Sequence, residues 1–180
     1  MRIGVSGTHG TGKTTLLEAL CEHLPGHSPV EEPYLLLEEE GYAFAYPPSV
    51  EDYWAQVERS VQLLRAPAAQ AVFDRTPLDS LAYLMALGAD IGAADAVALR
   101  AALANLDLLV VVPITPETER ALPRTELRRL RAATNDALLD LIVEDPLDIC
   151  RDVRTTVLRG PIAGRVAAVL AALPPPGACR

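Results

Sequence analysis

The chain has 180 residues, with 16 basic and 24 acidic side chains, a formal net charge of −8 and a pI near 4.9. This length suits one domain and is too short for two substantial ones. Half of the residues are apolar and 22% are charged, which excludes a disordered chain and a coiled coil. The excess of acidic side chains disfavours long nucleic acids as partners, so any bound phosphate must be held by a local site.

No apolar run approaches the roughly 18 residues that a membrane-spanning helix needs, and the N-terminus lacks the pattern of a secretory signal. The three cysteines, Cys21, Cys150 and Cys179, show neither paired nor metal-ligand spacing. We therefore expect a cytoplasmic protein that does not bind membranes and that is a monomer or a homodimer.

Apolar runs separated by turn residues predict alternating strands and helices. The predicted strands are residues 1–6, a segment ending at Val30, and residues 71–73, 108–112 and 155–158. The predicted helices are residues 13–24, 49–64, 77–87, 93–106, 124–143 and 162–173. Because the strands lack polar alternation, they need burial on both faces, which is typical of an α/β fold with a parallel sheet. We expect one domain over residues 1–173 and a flexible tail over 174–180.

The sequence GTHGTGKT at residues 7–14 matches G-x-x-x-x-G-K-[ST] in full and lies between a predicted strand and a predicted helix. Its glycines let successive backbone N–H groups converge on phosphate oxygens, and the helix N-terminus adds partial positive charge. Lys13 is expected to bridge the outer phosphates of a nucleotide, and the Thr14 hydroxyl is expected to ligate Mg²⁺. The predicted nucleotide-binding residues are Gly7, His9, Gly10, Thr11, Gly12, Lys13, Thr14 and Thr15.

Lys13 is the only lysine in a chain that has 15 arginines. A compact ammonium group fits a narrow phosphate-binding loop where a planar guanidinium is too large. The single lysine also excludes a GTPase switch, which would need an Asn-Lys-x-Asp motif for guanine. A mechanical ATPase is disfavoured because no apolar strand ends in Asp-Glu, and Asp107 precedes its strand.

An acid and an arginine, Asp74 and Arg75, follow the third predicted strand. In a parallel sheet that end of the strand lies at the ligand-binding edge, beside the phosphate-binding loop. Asp74 is therefore a candidate for the Mg²⁺ site, and Arg75 is a candidate contact for a phosphate. The alternative is that Asp74 caps the following helix with Arg75 as its partner.

With these residues the chain resembles the P-loop nucleoside and nucleotide kinases, which place an Asp-Arg or Glu-Arg pair after the third strand. It is especially similar to small AAA-type ATP-binding domains akin to the ribosylnicotinamide kinase domain. In that group Asp-Arg, Leu-Asp and Ala-Tyr occur in this order, matched here at residues 74–75, 78–79 and 82–83. The resemblance implies a three-layer P-loop kinase fold with a five-stranded parallel sheet, helices on both faces and a helical, arginine-rich lid. It also implies ATP as the phosphate donor and Mg²⁺ as the cofactor.

Glu31-Glu32-Pro33 is expected to end the second strand, at the position where deoxynucleoside kinases carry a Glu-Pro. In those enzymes the carboxylate accepts the proton of the attacking hydroxyl, and Glu32 is the matching residue. Phosphoryl transfer needs positioning more than a strong base, so this carboxylate could orient the acceptor as much as deprotonate it. The alternative is that either glutamate belongs to a solvated acidic turn.

Residues 31–66 are the predicted acceptor region. From Thr14 to Glu58 the chain has ten acidic side chains and no lysine or arginine, which suits a nucleoside, a sugar or a cation-bearing acceptor better than a polyanion. Acidic runs are also common on solvated surfaces. The aromatic side chains of this stretch could stack on a base or belong to the core; they are Tyr42, Phe44, Tyr46, Tyr53 and Trp54.

Residues 115–145 are the predicted lid, with arginines at positions 120, 124, 128, 129 and 131. Arg124, Arg128 and Arg131 share one face of a helix. By resemblance to the lid of nucleotide kinases, these arginines are expected to close over the triphosphate and to neutralise charge on the transferred group. The alternative is that they form surface ion pairs, with Glu119 and Glu126.

These patterns predict transfer of a phosphoryl group from Mg-ATP to the hydroxyl or phosphate group of a small molecule, such as a nucleoside, a nucleotide or a related compound. The alternative is an ATP-binding regulatory protein or a slow NTPase that has no phosphate acceptor. The predicted catalytic residues are Lys13, Glu32, Asp74, Arg75, Arg124 and Arg128, and the predicted metal ligands are Thr14 and Asp74.

Overall fold

A computed structural model describes residues 1–67, 70–121 and 127–173 of the chain. Its strands are β1 (Arg2–Ser6), β2 (Ser28–Val30), β3 (Ala71–Asp74), β4 (Leu108–Val111) and β5 (Thr155–Val157). They form one sheet in the order β2-β3-β1-β4-β5, and all neighbouring strands are parallel. The predicted five-stranded parallel sheet is therefore confirmed.

Helices cover both faces of this sheet. They are α1 (Lys13–His23), α2 (Pro33–Glu39), α3 (Val50–Arg65), α4 (Pro77–Ala86), α5 (Ala96–Leu103), α6 (Pro116–Ala121), α7 (Leu127–Val143) and α8 (Ile162–Ala172), with a short 3-10 turn at Ile91–Ala93. Because successive strand residues point to opposite faces, Leu109 and Val111 pack with α3, α4, α5 and α7, whereas Leu108 and Val110 pack with α1 and α8. The three-layer architecture is confirmed. Within the described ranges no helix is both long and apolar enough to cross a membrane.

Two helices, α2 and α6, were not predicted, and both begin at a proline. A proline at the first helical position lacks only an N–H group that has no partner there in any helix. It can therefore begin a helix as readily as it ends a strand. In α2 this places Glu32 immediately before the first helical turn, next to Pro33.

The bounds of two other predicted helices need correction. Residues 93–106 do not form one helix, because the Asp95 carboxylate accepts a hydrogen bond from the Ala98 N–H group and starts α5 at Ala96. For the predicted helix at 124–143, the structure describes α7 from Leu127 onward. The predicted tail at 174–180 lies outside the described residues.

The sheet brings the predicted site residues to one edge. Val5 of β1 lies beside Asp74 of β3, and Val30 of β2 lies beside Phe73. The phosphate-binding loop follows β1, Arg75 follows β3, and Glu32 follows β2. Because the carboxyl ends of parallel strands meet at the same edge, these three segments converge there.

Candidate active site

The phosphate-binding loop joins β1 to α1 and borders a cavity of about 340 Å³. Gly10 and Gly12 have left-handed backbone conformations, with φ of 75° and 86°, which favour glycine. The Thr8 carbonyl oxygen accepts hydrogen bonds from Lys13 Nζ at 3.1 Å and from Thr11 Oγ1 at 3.0 Å. The residues that line the cavity are His9, Gly10, Gly12, Lys13, Thr14, Thr15, Glu32, Asp74 and Arg75. Most of the predicted site residues that the structure describes therefore share one cavity.

Two titratable side chains of the loop have lowered pKa values. Lys13 is only 6% exposed, and burial, followed by the positive charge of Arg75, lowers its pKa to about 8. Burial and the charge of Lys13 also lower the pKa of His9. At neutral pH the loop therefore presents an ammonium group beside a neutral imidazole.

Asp74, at the end of β3, contacts the first turn of α1. Thr14 Oγ1 donates a hydrogen bond to Asp74 Oδ2 at 2.8 Å. The other carboxylate oxygen, Oδ1, is buried and has no hydrogen-bond partner among the described residues. Burial raises the pKa of Asp74, against the lowering effects of Thr14 and Lys13. A hydroxyl and a carboxylate with a spare oxygen atom are the ligand types that Mg²⁺ prefers, so these two residues fit the ion.

Arg75 connects the end of β2 to the loop. Its Nε donates to the Glu32 carboxylate, and its Nη1 lies 3.4 Å from the Gly7 carbonyl oxygen and 3.6 Å from Asp79 Oδ1. Burial acts to lower the pKa of Arg75, but Asp79 and Glu32 outweigh burial and raise it. Its φ of 75° is left-handed, a conformation that costs a non-glycine residue about 1–3 kcal/mol. The fold thus holds the Arg75 backbone in a strained conformation and its guanidinium group between two carboxylates.

The carboxylate of Asp79 joins α4 to the phosphate-binding loop. Its Oδ1 accepts a hydrogen bond from the Gly7 N–H group at 2.8 Å, and its Oδ2 accepts one from the Thr76 N–H group at 2.9 Å. Thr76 is the N-cap of α4, and its Oγ1 accepts from the Leu78 N–H group. The alternative in which Asp74 caps this helix is therefore wrong. Sequence reasoning missed Asp79 as a site residue; the Thr-x-x-Asp spacing of a capping box could have identified it as a cap of α4 but not as a contact of the loop.

We expect Asp79→Ala to lower the free energy of unfolding by about 3 kcal/mol, because it leaves two buried N–H groups unpaired and removes a carboxylate from beside Arg75. Asp95→Ala is the matched control, since it removes an exposed helix cap and should cost about 1 kcal/mol. Urea unfolding of both variants measures the difference. Equal losses would show that Asp79 contributes only as a helix cap.

The arginines of the predicted lid occupy different environments. Arg131 is buried; its Nε donates to the His9 carbonyl oxygen at 3.0 Å and its Nη1 to Glu119 at 3.1 Å. Arg128 is exposed, and its Nε donates to the other oxygen of Glu119 at 2.8 Å. The predicted ion pairs with Glu119 therefore form. Arg124 and Glu126 lie outside the described residues. Sequence reasoning placed Arg124 and Arg128 in the predicted catalytic set and assigned Arg131 to the lid alone, although the three were expected to share one helical face; of the two that the structure describes, Arg131 is the one that contacts the phosphate-binding loop.

A second buried arginine contacts the loop from α8. Arg165 Nη1 donates to the Thr11 carbonyl oxygen at 2.9 Å, and its Nε donates to the Gly160 carbonyl oxygen at 2.8 Å. Sequence reasoning missed this residue entirely. It lies in a mainly apolar helix, 154 positions after Thr11, so no local pattern connects the two.

A second cavity, of about 300 Å³, adjoins the first and shares Thr14, Glu32 and Asp74 with it. The other residues that line it are Leu17, Glu18, Pro29, Val30, Glu31 and Leu35. No lysine or arginine is among the described residues of its wall. The two cavities therefore meet at carboxylates, and the second is bordered by apolar and acidic side chains.

The aromatic side chains of the predicted acceptor region divide between the core and the surface. Tyr53 stacks on Tyr83 with ring centroids 4.9 Å apart, and burial raises the pKa of Tyr53 to about 12. Trp54 packs against the same core, while Phe44 contacts two neighbouring tyrosines. Tyr46 is fully exposed. Membership in the core is thus the correct interpretation for Tyr53 and Trp54.

The sequence matches the profile of a family described as AAA domain over residues 2–161. The chain belongs to this AAA domain family. A comparison of this chain with curated proteins found no match.

Solved structures that resemble this AAA domain include small-molecule kinases. Deoxyadenosine kinase from M. mycoides with bound dATP has 14% sequence identity and a TM-score of 0.65, covering 95% of this chain and 98% of that one. Shikimate kinase from Aquifex aeolicus has 16% identity and a TM-score of 0.56, covering 96% and 95%. NadR protein in complex with NR has 22% identity and a TM-score of 0.63; the match covers 95% of this chain and 50% of NadR. At these identities the similarity shows the P-loop kinase fold alone.

Proposed function

We propose that this protein transfers the terminal phosphoryl group of ATP to a hydroxyl or phosphate group of a small molecule. The observation that supports the proposal best is the meeting of two pairs, Thr14 with Asp74 and Arg75 with Glu32, where two adjacent cavities join. A nucleotide sensor needs only the first cavity, whereas a transferase also needs a place that holds an acceptor beside the nucleotide.

In this proposal the phosphates of ATP lie in the first cavity. Backbone N–H groups of the loop and the Lys13 ammonium group contact the phosphate oxygens, and the N-terminus of α1 adds partial positive charge. Thr14 and Asp74 would hold Mg²⁺. When bound, that ion neutralises charge on the outer phosphates.

Glu32 and Arg75 are proposed to act on the acceptor and on the transferred group. Glu32 lines both cavities, so its carboxylate can orient an acceptor hydroxyl and accept its proton. Arg75 is proposed to stabilise negative charge on the phosphoryl group. The lid arginines, which include Arg124, Arg128 and Arg131, are proposed to exclude water and to add positive charge.

The acceptor is proposed to bind within region 31–66, beside Glu32. The wall of the second cavity combines apolar side chains with carboxylates, which favours a nucleoside, a sugar or a cation-bearing acceptor over a polyanion. Among the similar structures, the deoxyadenosine kinase and the shikimate kinase are named after small molecules that carry hydroxyl groups. Their names support the same class of reaction here.

Incubation with γ-labelled ATP, Mg²⁺ and a panel of nucleosides, nucleotides and ribosylnicotinamide tests the proposal. Transfer of label to one of these compounds is the expected result. Release of free phosphate alone would indicate a slow NTPase, and nucleotide binding without any release would indicate a regulatory protein. Either of those results would overturn the proposed transfer.

We expect Asp74→Asn to raise the half-saturating Mg²⁺ concentration about tenfold, because a neutral amide is a weaker ligand for a divalent cation than a carboxylate is. Asp95→Asn is the control, since Asp95 caps α5 and lines neither cavity. Titration of Mg²⁺ at a fixed ATP concentration measures the effect. An unchanged Mg²⁺ requirement would remove Asp74 from the metal site.

A further inference from the structure

Arg165 is a buried cation that has no role in the proposed reaction. The residue is only 7% exposed, and no carboxylate among the described residues forms an ion pair with its guanidinium group. Burial lowers the pKa of its guanidinium group. Burying a charge without an opposite charge is unfavourable unless hydrogen bonds or a ligand compensate for it. The two hydrogen bonds that Arg165 makes are therefore informative about its role.

One of these bonds sets the orientation of a peptide group in the phosphate-binding loop. The Thr11 carbonyl and the Gly12 N–H belong to the same planar trans peptide unit and point in opposite directions. Arg165 holds the carbonyl oxygen on its own side at 2.9 Å, so the N–H group is turned to the other side. Because Gly12 lines the first cavity and Arg165 does not, the side away from Arg165 is inferred to be the cavity side. The left-handed φ of Gly12 permits this arrangement.

The second bond joins the loop to the segment after β5. Arg165 Nε donates to the Gly160 carbonyl oxygen at 2.8 Å, so one guanidinium group holds two carbonyl groups from distant parts of the chain. Arg131 holds the His9 carbonyl in a similar way, but its charge is paired with Glu119. Of these two buried arginines, Arg165 is the one that leaves a positive charge uncompensated beside the loop.

We propose that Arg165 is a positioning residue for nucleotide binding, which aims the Gly12 amide at an anion in the first cavity by holding the Thr11–Gly12 peptide. The inference rests on the proposed function only in that the first cavity binds phosphate. The positive charge of Arg165 adds to the attraction for an anion in the first cavity. A bound phosphate chain supplies the negative charge that Arg165 lacks.

The test compares three variants by calorimetry with MgATP and with inorganic tripolyphosphate. Arg165→Gln is expected to weaken binding of both ligands about tenfold, because the backbone N–H group of Gly12 loses its alignment with a charged phosphate oxygen of the ligand. Arg165→Lys keeps the charge and one donor, and about threefold weaker binding is expected. Arg159→Gln is the matched control, because it changes the net charge equally at an exposed position; less than about twofold weakening is expected there.

Thermal unfolding without ligand separates this role from a purely structural one. A positioning role predicts that Arg165→Lys recovers affinity relative to Arg165→Gln. If Arg165→Lys recovers the melting temperature but not the affinity, or if it binds as tightly as the wild type, the inference is overturned. The lysine variant alone decides the question if Arg165→Gln does not fold. A wild-type protein that binds neither ligand would overturn the proposed function as well, whereas normal binding without phosphoryl transfer would overturn only the kinase reaction.

Discussion

Lys13→Met is expected to reduce phosphoryl transfer by about 10²–10³-fold, because it removes the positive charge that is proposed to contact the outer phosphates. Lys13 lies in the wall of the first cavity and is almost fully buried, so solvent screens its charge only weakly. Methionine has a similar length and needs no counter-charge, so the fold should persist. The transfer rate and the MgATP affinity by calorimetry measure the effect, with thermal unfolding as the check on folding. Transfer at the wild-type rate would contradict the assignment of the loop as the phosphate site.

Lys13→Arg is the informative companion variant. It keeps the positive charge but replaces a compact ammonium group by a planar fork. Lys13 is buried and its Nζ donates to the Thr8 carbonyl oxygen within the loop. We therefore expect the larger, planar guanidinium group to fit poorly at that position. We expect the arginine variant to be nearly as inactive as the methionine variant. High activity in Lys13→Arg would show that charge alone is sufficient.

Glu32→Gln is expected to change MgATP affinity by no more than about twofold and to slow phosphoryl transfer by about 10²–10⁴-fold. The amide preserves the shape of the side chain and one oxygen that can accept a hydrogen bond from Arg75. It cannot accept the proton of the acceptor hydroxyl. Single-turnover transfer and calorimetry separate the two effects.

Glu31→Gln provides the matched control for this prediction. Glu31 is the neighbouring residue, is exposed, and lines the second cavity but not the first. We expect a change in transfer rate of less than about threefold, since this carboxylate lies outside the cavity in which the transferred group is proposed to bind. A large loss in Glu31→Gln, together with normal transfer in Glu32→Gln, would assign the acceptor-orienting role to Glu31 instead.

The parts of the fold that the sequence predicted well are those whose information is local. The central strands are short and mainly apolar, without polar alternation in their interior, and such strands require burial on both faces. The loop at residues 7–14 carries its chemistry in eight consecutive positions, flanked by the required strand and helix. Asp74 and Arg75 could be placed near that loop because parallel strands end at a common edge.

The parts that could not be predicted depend on contacts between distant segments. Asp79 contacts Gly7 across 72 positions and Arg131 contacts His9 across 122, and no spacing rule connects such pairs. Prolines at the start of α2 and α6 carry an ambiguous local signal, because the same residue can end one element and begin the next. For the long-range contacts and for the helix starts alike, the local sequence pattern is insufficient and the tertiary structure determines the outcome.

Because Lys13 is the sole lysine, the chain has one ε-amine in all, and that amine lies at the floor of the proposed nucleotide site. Its pKa of about 8 leaves a larger share of it unprotonated near neutral pH than in an ordinary lysine side chain. Among amines, a reagent that acylates amines selectively can therefore modify only this position and the N-terminal amine. The fraction of molecules that ligand protects from the reagent at position 13, measured by mass on the peptide that contains Lys13, then reports occupancy of the site without an engineered label.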